Sequence, residues 1–264
     1  MNTVPVPGPV TARHRPWPRC RQCWGIALDL GSTRTRAWTS GGRMIIDVPT
    51  VTFHGAGATY PVRRGAIVDT LGAARILDRL LGHRLPRFGR PLVILATPVL
   101  GGMAYRTEAR TAVEVLRPRT FLTVPTARAV AVAADADLSR PLLVVDIGAQ
   151  LTEVTLLTDG AVTDARHTAL GTGDLDRLTP PARITEAVAA MVTAMLDQDR
   201  TSQTRDALRH GALLAGGGAL RPDLAYRLID RLHAPVQPVP APHTAAVRGA
   251  ATLLRAAHAH PAGR

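Results

Sequence analysis

From residue 24 onward the chain alternates short apolar runs, each closed by a polar residue, with longer stretches of helical spacing. The run Gly25-Ile26-Ala27-Leu28 ends on Asp29 and Leu30; a polar turn through Gly31, Ser32 and Thr33 follows, then a second apolar segment reaching Trp38. That is a strand, a tight turn and a second strand. The same device recurs at 142–157, where Leu142-Leu143-Val144-Val145 leads into Asp146, Ile147 and Gly148. Placing Asp146 on Asp29 aligns Gly148 with Gly31 and Thr152 with Thr35, which implies a duplicated fold. Between the two hairpins, residues 91–98 read as a buried strand, and 71–81 and 106–116 carry helical spacing. Strands alternating with helices make the chain α/β. Further on, Thr179 is placed to cap a helix with Pro180 and Pro181 in its first turn. Ile184, Val188, Met191, Val192 and Met195 then share one face, the spacing of core packing. Residues 212–220 predict a short strand running into Gly216-Gly217-Gly218 and on to another helix.

Composition changes this picture at one end. Residues 1–23 hold five prolines and no hydrophobic period, the pattern of a disordered tail. Its Arg13, Arg15, Arg19 and Arg21, beside Trp17 and Trp24, make it the one concentrated basic segment, suited to a weak peripheral membrane contact. Elsewhere the formal charge of +12 is spread out, and all 32 basic residues are Arg, so nucleic acid is not the expected partner. Cys20 and Cys23 form one C-x-x-C, and His14 adds at most a third ligand where structural zinc needs four. No apolar run approaches the roughly 20 residues of a membrane span, so a cytoplasmic location is expected, peripheral to the membrane at most.

The candidate chemistry lies at the two strand ends. An aspartate closing a buried strand can hold a hydrated Mg²⁺, and a glycine two residues on allows a turn whose backbone N–H groups face phosphate oxygens. One such turn carries little information, because ordinary hairpins produce it often. Two in matching hairpins, followed by a strand, a triple glycine and a helix, form a far stronger pattern.

Those residues resemble the actin-like ATPase superfamily. Residues 29–35 look like its first phosphate loop, 146–153 like its second and 215–220 like its adenosine loop. Over most of residues 24–255 the chain is similar to the MreB-like bacterial actins in particular. Val48-Pro49-Thr50-Val51, the 61–69 segment with Gly65 and Asp69, Ala96-Thr97-Pro98, Pro125, the Gly173-Asp174 turn and residues 242–249 stand in that order. The resemblance implies two related lobes around a nucleotide cleft, with ATP and Mg²⁺ as cofactors. One lobe covers 24–138, with 244–264 returning to it, and the other covers 139–243. Asp29 and Asp146 are the implied metal ligands. Nucleotide would meet Asp29, Gly31, Ser32, Thr33 and Arg34 on one side and Asp146, Gly148, Ala149 and Gln150 on the other. Gly216, Gly217, Gly218, Ala219 and Leu220 complete the implied site.

Departures from the family pattern shift the expectation. Where the family has glycines and a threonine in the second loop, this chain has Ala149, Gln150 and Leu151. The family's water-orienting glutamate before the Pro125 segment is replaced by Thr123 and Val124, and Arg34 stands where Asn is usual. About ten residues separate Val51 from Pro61, and 173–216 leaves room for one or two helices. The small flanking subdomains should therefore be reduced or absent. The expected function is a cell-morphogenesis protein of the MreB class with an ATP-binding core and weak or no hydrolysis. The alternative is a pseudo-ATPase adaptor that meets a full-length MreB-like homologue or a cell-wall synthesis complex without binding nucleotide. A sugar or acetate kinase of the same superfamily needs a substrate pocket for which the chain has little room.

Overall fold

A computed structural model describes residues 24–42, 44–54, 57–85 and 89–259; the basic leader with Cys20 and Cys23 lies outside them. The chain opens with β1 (Gly25–Leu30), β2 (Arg34–Thr39) and β3 (Ile46–Pro49). Two small hairpins follow, β4 (Thr52–His54) with β5 (Gly57–Thr59), and β6 (Val62–Arg63) with β7 (Ala66–Ile67). Next come α1 (Thr70–Leu81), β8 (Leu92–Thr97), α2 (Gly102–Val113), β9 (Thr120–Pro125) and α3 (Thr126–Ala133). The second half runs β10 (Leu142–Ile147), β11 (Thr152–Thr158), β12 (Ala161–Thr168), α4 (Pro181–Gln198) and α5 (Gln203–His210). It ends with β13 (Ala212–Ala215), α6 (Pro222–Leu232), β14 (Val236–Pro238) and α7 (Ala245–Ala259).

The duplication implied by the two hairpins extends to whole sheets. One has the order β3-β2-β1-β8-β9 and the other β12-β11-β10-β13-β14. In each, the first three strands are antiparallel and the last three parallel. Side chains alternate across β1 with the strand period of two. Ile26 and Leu28 pack with Leu77 and Leu81 of α1 and Val113 of α2, while Ala27 faces Val247, Ala250 and Leu254 of α7. Covered on both faces and flanked by β1 and β9, the interior strand β8 is buried along its whole length. In the second sheet Leu143, Val145 and Ile147 meet Ile184 and Val188 of α4 and Leu224 and Leu228 of α6. Val144 and Leu157, on the other face, pack with Ala127 and Val130 of α3, which thus joins the two halves.

Local chemistry sets the helix starts. Asp69 caps α1 by accepting the Gly72 N–H at 2.8 Å. The capping role expected of Thr179 is corrected: α4 begins at Pro181 with Pro180 in the cap position and no side-chain cap. Arg183 N already donates to Pro180 O at 2.9 Å, and Thr179 N is taken by Asp176 Oδ1 at 2.7 Å. Four residues of the expected apolar face of α4, Ile184, Val188, Val192 and Met195, are buried; Met191 packs partly buried against them. The β4–β5 hairpin occupies the short stretch after Val51, and α4 with α5 fills that between β12 and β13. Among the described residues no helix is long and apolar enough to cross a membrane.

Candidate functional site

The two aspartates occupy matching places. Asp29 pairs in register with Arg36 across β1–β2, and Asp146 with Glu153 across β10–β11. Both turns close with the same hydrogen bond, Gly31 N to Arg34 O at 3.0 Å and Gly148 N to Leu151 O at 2.8 Å. The glycine turn arrives beside the second one because β13 runs parallel to β10 with Ala215 next to Asp146. Gly216 leaves that strand with φ of 80°, its N–H donating to Pro242 O at 3.1 Å.

These three turns enclose a cleft of about 310 Å³ between the lobes. Of the residues singled out in the sequence, Asp29, Gly31, Ser32, Thr33, Arg34, Asp146, Gly148, Ala149, Gly216, Gly217 and Leu220 line it. Gln150, Gly218 and Ala219 do not. Gln150 instead accepts the Arg64 N–H at 3.3 Å, and Ala219 is buried in the core of the second half. Gly218 sits against Ile147, with no room for a side chain between them. The volume lies at the lower end of the roughly 300–1,000 Å³ usual for ligand pockets.

Charge in the cleft is arranged asymmetrically. In the first hairpin, Arg36 reaches Asp47 at 3.2 Å and Asp29 at 3.5 Å, while Arg34 binds Asp47 at 2.8 Å. In the second hairpin the matching pair is two carboxylates, Asp146 and Glu153. Glu153 comes from β11 yet accepts the Val99 N–H at 2.9 Å from the opposite lobe. Burial raises the Asp29 carboxyl above its ordinary value, and Arg36 pulls it back. Asp146 is pushed up to about 7, chiefly by burial and then by the charge of Asp29, with Arg36 opposing. Glu153 also rises to about 7, by burial and the charge of Asp146, against the backbone N–H groups of Val99 and Leu100.

A pH dependence follows. Both raised carboxyls bind protons more tightly in the folded cleft than in the unfolded chain, where carboxyls titrate near about 4. The stability they contribute is complete below that value and is lost as pH rises through about 7. The melting temperature of the nucleotide-free protein should therefore fall between about pH 4 and about pH 7 and level off above that. Asp146→Asn should flatten the slope, and an unchanged profile in that variant would show the burden to lie elsewhere.

Among the described residues no group of three or more His, Cys, Asp or Glu is placed to hold a metal ion. Mg²⁺ does not require one, since it is commonly held by one or two carboxylates with water and substrate phosphates. Asp146 and Glu153, raised by burial and by a neighbouring carboxylate, Asp29 for the first and Asp146 for the second, line one cleft with Asp29 and fit such an ion.

Sequence reasoning passed over Arg36 and gave Glu153 no separate role. The signal was available: both stand seven residues after their aspartate, so the hairpin register that pairs one pair also pairs the other. The contact of Arg64 with Asp174, which lie outside the cleft lining, was also passed over, because it spans 110 positions of sequence.

No protein-family model matches the chain, and no curated protein matches it by sequence. Solved structures do. MreB5 of Spiroplasma citri bound to ADP superposes with a TM-score of 0.77 at 14% identity, covering 89% of this chain and 97% of that one. A MamK double helical filament gives 0.71 at 14% identity, covering 88% and 98%. The ethanolamine utilization protein EutJ from Carboxydothermus hydrogenoformans gives 0.62 at 17%, covering 92% and 93%. At these identities the likeness shows the fold, and the fold is that of the actin-like ATPases.

Proposed function

We propose that this protein is a cytoskeletal component of the MreB-like cell-shape class that holds an adenine nucleotide with Mg²⁺ in its interlobe cleft and turns it over slowly or not at all. The observation that supports this most directly is the convergence of the Asp29, Asp146 and Gly216 turns on one cleft. In this reading the N–H groups of the two Gly-containing turns face the phosphates, and Asp29 and Asp146 hold the metal through its waters. The metal, when bound, neutralises phosphate charge; the chain's part is to position the phosphates and exclude water. MreB5 has been crystallised with ADP and with AMPPNP, which makes those two nucleotides the first ligands to try.

A second reading has its own support. Ala149 places a side chain at the second turn, and Arg36 already partners Asp29. A pseudo-ATPase adaptor, attached to filaments of a full-length relative or to cell-wall synthesis proteins, needs no nucleotide at all. Calorimetric titration with Mg-ADP and Mg-AMPPNP separates the two. Saturable binding abolished by Asp29→Ala supports the first, and flat heats support the second. In pelleting assays the chain alone is expected to stay in the supernatant and to sediment when a full-length relative polymerises beside it, because small subdomains that supply filament contacts are reduced. Robust filaments from the chain alone would remove the adaptor reading. We place the protein in the cytoplasm, with the leader as a weak membrane contact; liposome sedimentation with and without residues 1–23 tests that part.

A further inference from the structure

The 62–67 hairpin belongs to the first lobe by its core and to the second by its tip. Val62 and Ile67 pack into the cluster that holds Leu77 and Tyr105. Between them Arg64 and Gly65 form a two-residue turn with φ of 47° and 79°, both in the left-handed region that tight hairpins use. The tip crosses to the second lobe. Arg64 N donates to Gln150 Oε1 at 3.3 Å, its Nη2 meets Asp174 Oδ1 at 2.9 Å, and its Nη1 donates to the Ala169 carbonyl. Gly65 lies flat on Leu151, so close that a Cβ there would stand 2.8 Å from Leu151 Cδ2.

The receiving surface is itself braced. Asp174 Oδ2 accepts the Gly171 N–H at 2.9 Å, Thr172 N donates to Gly148 O at 2.9 Å, and Gly173 N donates to Ala149 O at 2.7 Å. The turn at 148–151 is thus held from one side by 171–174 and from the other by the hairpin tip. Gln150, expected at the nucleotide, has its contact here instead, and Leu151, which also lines the cleft, receives Gly65.

We propose that the hairpin is a clasp that holds the two lobes closed without nucleotide, through Arg64 on Asp174, Ala169 and Gln150 and through Gly65 on Leu151. In this chain protein groups, not a ligand, span the gap between the lobes at this point. The closure stands on the geometry alone, and only its comparison with nucleotide rests on the function proposed above. Arg64 is half exposed, so its ion pair is screened by salt, and the clasp works as a sum of several modest contacts.

Hydrogen–deuterium exchange on the full chain tests this, read at the amides of 64–67 and 148–151. Without nucleotide the wild type is expected to protect both segments, and Mg-ADP is expected to add little. Arg64→Ala should speed exchange in both by ~3–10-fold, the loss of one or two modest hydrogen bonds, with β8 and β10 unchanged. Asp174→Asn, which keeps a hydrogen-bond acceptor, should give a smaller rise and covers the case in which Arg64→Ala fails to fold. Unprotected wild-type segments that close only on Mg-ADP, or variants that exchange like wild type, overturn the clasp. Absence of any Mg-ADP binding in calorimetry overturns the nucleotide reading alone, because the nucleotide-free comparison still decides the clasp.

Discussion

Gly216→Ala is expected to lower folding stability by about 2–4 kcal/mol and to remove Mg-ADP binding. Two penalties coincide at this position. Its φ of 80° is a region L side chains rarely adopt, and an added Cβ would stand 2.3 Å from Ile147 O and 2.4 Å from Asp146 Oδ1. Neither neighbour can give way cheaply: one is backbone at the end of β10, and the other is the carboxylate proposed to serve the metal. Relief requires the β13 turn to move off the second phosphate turn, which opens the cleft on the side assigned to nucleotide. For a chain of this size the stability loss corresponds to a fall in melting temperature of about 5–15 °C. Gly217→Ala is the control, since nothing lies within 4 Å of the Cβ it would carry and its φ is ordinary. That variant should melt within about 1–2 °C of wild type. Equal behaviour of the two variants in melting and in calorimetry would show that the close approach at Gly216 carries neither fold nor site.

The contrast between these neighbouring glycines marks where sequence reading stops. The triple glycine is visible as a turn after a buried strand, but which glycine has no space beside it depends on β13 lying parallel to β10. The fold itself was legible because its signals are local and repeated: a period of two in β1 and β10, a helical face in α4, and one hairpin pattern occurring twice. The cleft was legible as far as strand ends determine it: Asp29, Asp146 and Gly216, each at or just past a strand end, line it together. Contacts made across the cleft were not. Gln150 was assigned to phosphate from its place in the loop, whereas its partner, Arg64, is 86 residues away. Thr179 shows the same limit at short range, since its composition suits a cap and the backbone of Pro180 already serves Arg183. The register of β2 with β3 sets Arg36 opposite Asp47, and Arg34 reaches the same carboxylate from two residues away, a sharing that residue types alone do not announce.

Phosphate release from Mg-ATP by the wild-type protein is expected to equal the no-protein blank. In the family resembled, a glutamate before the Pro125 segment orients the attacking water, and positioned acid–base groups of that kind contribute about 10²–10⁴-fold. Here the two positions are Thr123 and Val124, and Val124 is buried in the core with Ala96, Ala129 and Ala246. Neither offers a carboxylate to the cleft. Glu153 is the one lining carboxylate not otherwise assigned, and its apparent fitness as a base deserves weighing, because a carboxyl pushed up to about 7 is poised to take a proton at neutral pH. Against that, its Oε1 accepts the Val99 N–H at 2.9 Å, so the group is held as an interlobe contact and not aimed at a free water. Positioning should therefore decide the outcome over basicity. Asp29→Ala and Glu153→Gln give the discriminating measurements. Release above the blank that persists in Asp29→Ala identifies a contaminating ATPase and leaves the expectation standing. Release that both substitutions abolish would show that Glu153 leaves Val99 to serve as the base, and the protein would then be a working ATPase with its base moved from the β9 end to β11.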